Sequence, residues 1–119
     1  MDESLGQLQL QVMEAVWRRG RATVAQVHED LAAQRKLAYT TVLTTMRALE
    51  RRGMVRHEQA GKAYLYEPAV SREQYTAQRV GAMVADLFEG RRERLLCHLL
   101  GTERISPREL AQIRRMLKP

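Results

Sequence analysis

The chain has 119 residues, a formal net charge of +6 at pH 7 and one cysteine, Cys97. This length suits one compact domain, or a small domain with an oligomerisation segment, and it disfavours two large domains. The lone cysteine excludes an intrachain disulfide and a multi-cysteine metal site, and no apolar run approaches the roughly 20 residues that cross a bilayer. We therefore expect a cytoplasmic protein without membrane insertion.

The first half of the chain predicts three helices. Apolar residues at helical spacing place the first over residues 5–19 and the second over residues 24 to about 35. The third covers residues 38–52. Helix ends are indicated by glycines that follow arginine- or histidine-bearing segments, namely Gly20, Gly53, Gly90 and Gly101.

The period changes after the third helix. Alternating residues from Val55, a turn at Ala60-Gly61-Lys62 and a returning run that ends before Pro68 predict a β-hairpin with a basic tip. Three further helices are predicted over 71–89, 92–100 and 106–118. The fold class is therefore mainly α: a winged helix-turn-helix of three helices and a two- to three-stranded wing over residues 1–70, followed by a helical segment over residues 71–119.

The third helix has an unusual composition. It contains four threonines within six residues, although threonine is a mediocre helix former. At about 100° per residue its apolar side chains form one side of the helix: Tyr39, Val42, Leu43, Met46 and Leu49. The opposite side carries Thr40, Thr44, Arg47 and Arg51 and is flanked by Thr41. These five are the candidate DNA-binding residues.

These residue types suit a recognition helix. Threonine hydroxyls bond phosphates or bases, the threonine methyl packs on the thymine methyl, and arginine forks onto guanine. Between residues 34 and 66 the chain has seven basic residues and two acidic ones, so positive charge concentrates around this helix. Lys62 at the hairpin tip and Arg56 are predicted to contact backbone phosphate, whereas Arg52 lies off the face, near the negative end of the helix dipole.

Two other interpretations of this face remain open. A threonine and arginine face can be a plain solvated surface, and winged helices also act as protein-protein adaptors without sequence-specific DNA binding. The adaptor hypothesis differs in its salt dependence, because neutralising several phosphates makes DNA binding fall steeply with salt.

Five segments of the chain are typical of one known family: VMEAVW, TVAQVHEDLA, LAYTTVLTTMRALERRGMV, the GKAYLYEP hairpin and ISPRELAQIRRML. Together they resemble the penicillinase-repressor family, the BlaI/MecI/CopY group of winged-helix transcriptional repressors. The resemblance covers nearly the whole chain. It implies a homodimer that binds an inverted-repeat operator through two copies of the third helix, with Thr40, Thr41, Thr44 and Arg47 on the matching positions.

The resemblance also implies that the C-terminal helices form the dimer. The chain's own pattern agrees, since these helices carry more apolar surface than three short helices hide among themselves. The alternative is that these residues fold back onto the winged domain. The candidate interface residues are Leu87, Phe88, Leu95, Leu96, Leu99, Leu100, Ile105, Leu110, Ile113 and Leu117.

Two departures from the family concern its signals. The copper-responsive branch ends in a cysteine cluster that is absent here, so thiolate metal sensing is disfavoured. The antibiotic-responsive branch links a membrane sensor or protease system to cutting of an Asn-Phe bond, and the matching position reads Cys97-His98-Leu99. From the resemblance we therefore expect a role in antibiotic response and signalling by such a sensor or protease system. The Asn-Phe cleavage site itself is not matched in this chain.

No enzyme chemistry is indicated. The sequence shows no nucleophile with an adjacent base, no phosphate-cradling glycine loop and no paired carboxylates, and adjacent Cys97 and His98 diverge by about 100° on a helix. We expect no cofactor and no metal. Cys97 is interpreted as a buried thiol, with a Cys97 pair across a dimer axis as the alternative.

Overall fold

The computed structural model describes residues 4–102 and 105–117. Within them lie six helices and one two-stranded antiparallel sheet, which confirms the mainly α fold class. In chain order the elements are α1 (Gln7–Arg19), α2 (Val24–Ala32), α3 (Tyr39–Arg51), β1 (Val55–Ala60), β2 (Ala63–Pro68), α4 (Arg72–Leu87), α5 (Arg92–Thr102) and α6 (Pro107–Leu117).

The chain divides into two compact units. The first extends to Arg79 and the second begins at Val80. Among the described residues, no helix combines the length and the apolar character needed to cross a bilayer.

The core of the first unit joins α1, α2, α3 and the hairpin. Each helix contributes the apolar positions that recur at helical spacing, because only those positions face the same side of the helix. Fully buried members of this core are Val12, Met13, Val16, Val27, Val42, Met46 and Leu49. The side of α3 that carries Val42, Met46 and Leu49 is thus fixed against the core, and its other side is left outward.

The hairpin has the predicted form. Strands β1 and β2 pair from Val55 opposite Pro68 to Ala60 opposite Ala63, so Gly61 and Lys62 form a two-residue turn. Gly61 adopts a φ of 65°, which a residue with a Cβ rarely adopts. The Ala22 and Tyr66 backbones exchange two hydrogen bonds, of 2.9 and 2.8 Å, as an isolated antiparallel bridge. This bridge ties the loop between α1 and α2 to the wing.

Helix starts follow the predicted capping residues. The Thr23 hydroxyl accepts a hydrogen bond from the Gln26 amide, and the Ser71 hydroxyl accepts one from the Gln74 amide. In each case the glutamine side-chain oxygen accepts a hydrogen bond from the backbone amide of the capping residue. Ser106 caps the Glu109 amide at the start of α6. These bonds satisfy amides that a helix leaves open at its first turn.

Two boundary predictions are wrong. Helix α2 ends at Ala32 rather than near Arg35, because the chain turns after Leu31, whose carbonyl accepts from the amides of Gln34 and Arg35. Gly101 lies inside α5 and ends no helix, and a Cβ at that position would meet nothing within 4 Å. Glycine without a positive φ is compatible with a helix interior at a modest loss of stability.

Candidate nucleic-acid interface

The outward face of α3 carries the threonines and arginines predicted from the sequence. Thr40, Thr41, Thr44, Arg47 and Arg51 are all exposed. They lie opposite the buried side of the helix, so the core holds this face toward solvent. We call these five residues the α3 face.

The threonine hydroxyls of the α3 face are available for an external partner. Thr45, just off this face, donates its hydroxyl to the Thr41 carbonyl at 2.8 Å, the usual way in which a helical threonine satisfies itself. Within the described residues, no such bond involves the hydroxyls of Thr40, Thr41 or Thr44.

The cations near the α3 face differ in whether the protein pairs them. No described residue forms a hydrogen bond or ion pair with the side chains of Arg47, Arg51 or Lys62. Arg52, by contrast, donates to Gln9 Oε1 at 2.8 Å and to the Ser4 carbonyl at 3.1 Å. Arg52 therefore holds the N-terminal segment against α3, off the face, while the unpaired cations remain free for an anion.

Arg56 occupies a different setting. It lies opposite Glu67 in the hairpin register and donates to Glu67 Oε1 at 2.7 Å, and Arg21 donates to Glu67 Oε2 at 3.2 Å. The hydrogen bond from Arg56 lowers the pKa of Glu67 below its ordinary value. Because side chains alternate along a strand, Arg56 lies on the opposite hairpin face from His57. Arg56 is therefore paired within the hairpin, unlike the arginines of the α3 face, which pair with no described residue.

A contact that was not predicted from the sequence connects α3 to the wing. His57 Nδ1 donates to Glu50 Oε2 at 2.6 Å, and the His57 ring stacks on Tyr64 with centroids 4.3 Å apart. The period-2 pattern of the hairpin could have indicated this, since His57, Tyr64 and Tyr66 share its inner face. The contact fixes the wing relative to the C-terminal turn of α3.

A groove lies between the start of α2, the start of α3 and the inner face of the hairpin. It has a cavity volume of about 370 Å³, and its lining includes Thr23, Tyr39, Lys62, Tyr64 and Tyr66. Tyr39 was grouped with the apolar side of α3, yet 46% of its surface is exposed. Its ring lines the groove instead of entering the core and lies edge-on to the His28 ring, with centroids 6.0 Å apart.

In the second unit the predicted interface residues are largely uncovered. Leu87 is 71% exposed, Leu96 57% and Leu117 77%. Leu99, Leu100, Leu110 and Ile113 are also exposed, whereas Phe88, Leu95 and Ile105 are half-buried. Cys97 is exposed rather than buried, because the described part of this chain does not cover that side of α5.

The described residues form no cluster of side chains that could hold a metal ion. Within residues 4–102 and 105–117, no three His, Cys, Asp or Glu side chains converge on one point.

Comparison with known proteins identifies the family. The family model described as penicillinase repressor matches residues 5–119. The transcriptional regulator BlaI of Mycobacterium tuberculosis is 37% identical over 118 aligned residues, which cover 95% of this chain and 82% of that protein. The penicillinase repressor of Bacillus licheniformis is 18% identical over 110 residues, covering 92% and 86%.

Solved structures share the fold. The DNA-binding domain of the repressor BlaI has a TM-score of 0.55 and 21% identity, covering 60% of this chain and 88% of that domain. The monomeric form of Bacillus licheniformis BlaI in complex with the blaP half-operator has a TM-score of 0.53 and 21% identity, covering 60% of this chain and 88% of that chain. These similarities show a common winged-helix fold. Together with the family match over 115 of 119 residues, they establish that the chain belongs to the penicillinase-repressor family.

Proposed function

We propose that two copies of this chain bind an inverted-repeat DNA operator through their α3 helices and thereby repress transcription. The family consists of transcriptional repressors and not of enzymes, and a relative of the same fold is solved on a half-operator. Transcription is blocked because the bound protein occupies the operator. The proposed localisation is the cytoplasm, where such a repressor binds its DNA.

The observation that carries this proposal is the α3 face. Three hydroxyls and two guanidinium groups point outward from one helix, and no described residue satisfies them. Side chains of this kind make base-edge and phosphate contacts in the major groove. Lys62 at the wing tip adds a phosphate contact that positions the protein without reading sequence. The core of a surface that docks on protein is enriched in aromatic side chains and methionine, and the α3 face contains neither.

The two parts of the chain are proposed to have different roles. Residues 1–70 are proposed to bind DNA and residues 71–119 to form the homodimer. The exposed apolar side chains of α5 and α6 support the second assignment, because large apolar surfaces of this kind usually have a partner. A two-fold dimer fits an inverted repeat, since each subunit then meets an identical half-site.

The signal partner is proposed by family analogy to be a membrane sensor or protease system. The segment Cys97-His98-Leu99 differs from the Asn-Phe bond that is cut in the antibiotic-responsive branch. Release of this repressor is therefore proposed to need a different bond or a different event.

Selection of binding sites from a random DNA library tests the proposal. The purified chain is incubated with the library at about 150 mM salt, and bound duplexes are amplified and sequenced over several rounds. We expect one enriched motif with two inverted halves whose centres lie about one helical turn, or a multiple of it, apart. A library that stays unenriched would contradict sequence-specific binding. Enrichment of single, unpaired half-sites would contradict the dimer.

A further inference from the structure

We propose that the groove between α3 and the inner face of the hairpin binds a phosphate group, which in the DNA complex is one backbone phosphate of each half-site. This inference rests on the proposed function. It extends the DNA contacts to tyrosines outside the α3 face, which neither the sequence pattern nor the family match assigns.

The rim of the groove supplies a cation and two hydroxyls. Lys62 lines it from the hairpin turn, Tyr64 from strand β2 and Tyr39 from the first turn of α3. The two tyrosines are 43% and 46% exposed, so their side chains are open to a ligand without any rearrangement of the core. Among the described residues, the lining of the groove contains no Asp or Glu, and an anion entering it meets no lining carboxylate.

The floor of the groove holds a donor that the protein leaves unsatisfied. Tyr66 is 1% exposed, yet no described residue forms a hydrogen bond with its hydroxyl. No fully enclosed side-chain oxygen among the described residues lacks a partner, so this hydroxyl opens into the groove that Tyr66 lines. Burial raises the pKa of Tyr66 above its ordinary value, and the hydroxyl therefore keeps its proton and acts as a donor.

The start of α2 adds a second set of donors. This nine-residue helix begins at the groove, and its first two residues, Val24 and Ala25, line it. Thr23 caps the Gln26 amide and its carbonyl receives the Val27 amide, whereas no described group accepts from the amides of Val24 and Ala25. Open amides at the positive end of a helix dipole favour an anion, and phosphate above all.

The position of the groove identifies DNA as the source of the phosphate. One wall is Tyr39, directly before Thr40 of the α3 face, and the other is Lys62 at the wing tip. A helix that enters the major groove has the sugar-phosphate backbone beside it, and a wing straddles that backbone. A free phosphorylated molecule has the same chemistry and would compete with DNA for the site.

The test combines single hydroxyl deletions with single neutral phosphates. Tyr39→Phe and Tyr64→Phe are compared with Tyr75→Phe, a matched control whose hydroxyl accepts from the Leu5 amide away from the groove. Each variant is titrated against operator duplexes that carry one methylphosphonate at successive positions. We expect both groove variants to bind unmodified operator about three- to tenfold more weakly, the range for a hydrogen bond to a charged group, and the control to bind unchanged.

The methylphosphonate series locates the contact. One position per half-site should weaken wild-type binding, and at that position the groove variants should show no further loss. A different result would overturn the assignment of the phosphate to DNA. In that result wild type binds the operator specifically, both groove variants bind it equally well, and no single methylphosphonate weakens wild-type binding.

A free-phosphate titration distinguishes the other source. Inorganic phosphate is added at constant ionic strength, and the amide resonances of Val24 and Ala25 are followed by NMR. Resonance shifts that saturate with phosphate concentration support a phosphate site in the groove. If they saturate but no methylphosphonate weakens operator binding, the ligand of the groove is free phosphate rather than a DNA phosphate. If neither experiment gives a response, the groove proposal is overturned, whereas failure of wild type to prefer operator DNA contradicts the repressor function itself.

Discussion

Arg47→Ala is expected to weaken operator binding while leaving the fold intact. Arg47 is exposed on α3, and its removal breaks no hydrogen bond or ion pair among the described residues. Alanine is also the best helix former, and the free energy of unfolding should stay the same or rise slightly. Any loss of binding then reports on DNA contact alone.

The size of the loss depends on what Arg47 meets. A bidentate contact to guanine contributes about 1–3 kcal/mol of discrimination, which corresponds to a roughly 5- to 150-fold loss for each half-site. A dimer on a full operator loses this contribution twice. On DNA of shuffled sequence only a small, charge-based loss is expected, because no guanine is held in register there.

The assay is fluorescence anisotropy of wild type and variant with half-site, full operator and shuffled duplexes at one fixed salt concentration. Arg52→Ala is the matched control, since it removes the same side chain from the end of the same helix but breaks bonds to Gln9 and Ser4 instead. The control should lower stability and keep the ratio of operator to shuffled affinity. An equal loss on operator and shuffled DNA from Arg47→Ala would refute base reading and make Arg47 a phosphate contact.

Four further outcomes follow from the structure. Lys62→Ala should weaken operator and shuffled DNA alike and reduce the slope of log affinity against log salt by about 0.9 per subunit, as measured in a salt series. Leu99→Glu should convert a dimer to a monomer in analytical ultracentrifugation, because a charge then enters the apolar surface of α5; a dimer that persists places the interface elsewhere. Ser71→Ala removes the N-cap of α4 and should lower the free energy of unfolding by about 0.5–2 kcal/mol in urea, with Ser71→Asp as the control that retains it. Asp30→Asn tests pH dependence: the hydrogen bond from Arg19 lowers the pKa of Asp30 below its ordinary value of 3.8, so the carboxylate stabilises the fold above that pH and the gap between wild type and variant should close as pH falls through the lowered pKa.

Hydrophobic spacing predicted most of the fold because it reflects burial directly. Val42, Met46 and Leu49 recur at helical spacing and are completely buried, and their burial is what turns the threonines outward. The hairpin could also be predicted from the sequence, because alternating residues indicate the strands and Gly61 indicates the turn between them. The mainly α winged-helix class and the family are accordingly confirmed.

Contacts between distant residues were not accessible from spacing. A period assigns Tyr39 to the apolar side of α3, but only the packed structure shows that its ring lines the groove beside the wing and stays partly exposed. Likewise, the pairing of Arg56 with Glu67 depends on hairpin register, and the His57 to Glu50 contact depends on how the wing meets α3. Charge counts treat all these cations as equivalent, whereas internal partners decide which of them remain available to DNA.

The measurement that tests the central claim most directly is anisotropy of the purified chain with DNA from immediately upstream of its own gene, beside shuffled DNA, across a salt series. The account predicts a preference for the upstream fragment, saturation at two chains per site, and affinity that falls about 10³- to 10⁵-fold between 50 and 200 mM salt if six to ten phosphates are neutralised by the dimer. Weak binding without preference, or affinity that is insensitive to salt, would contradict the claim that the α3 face reads DNA.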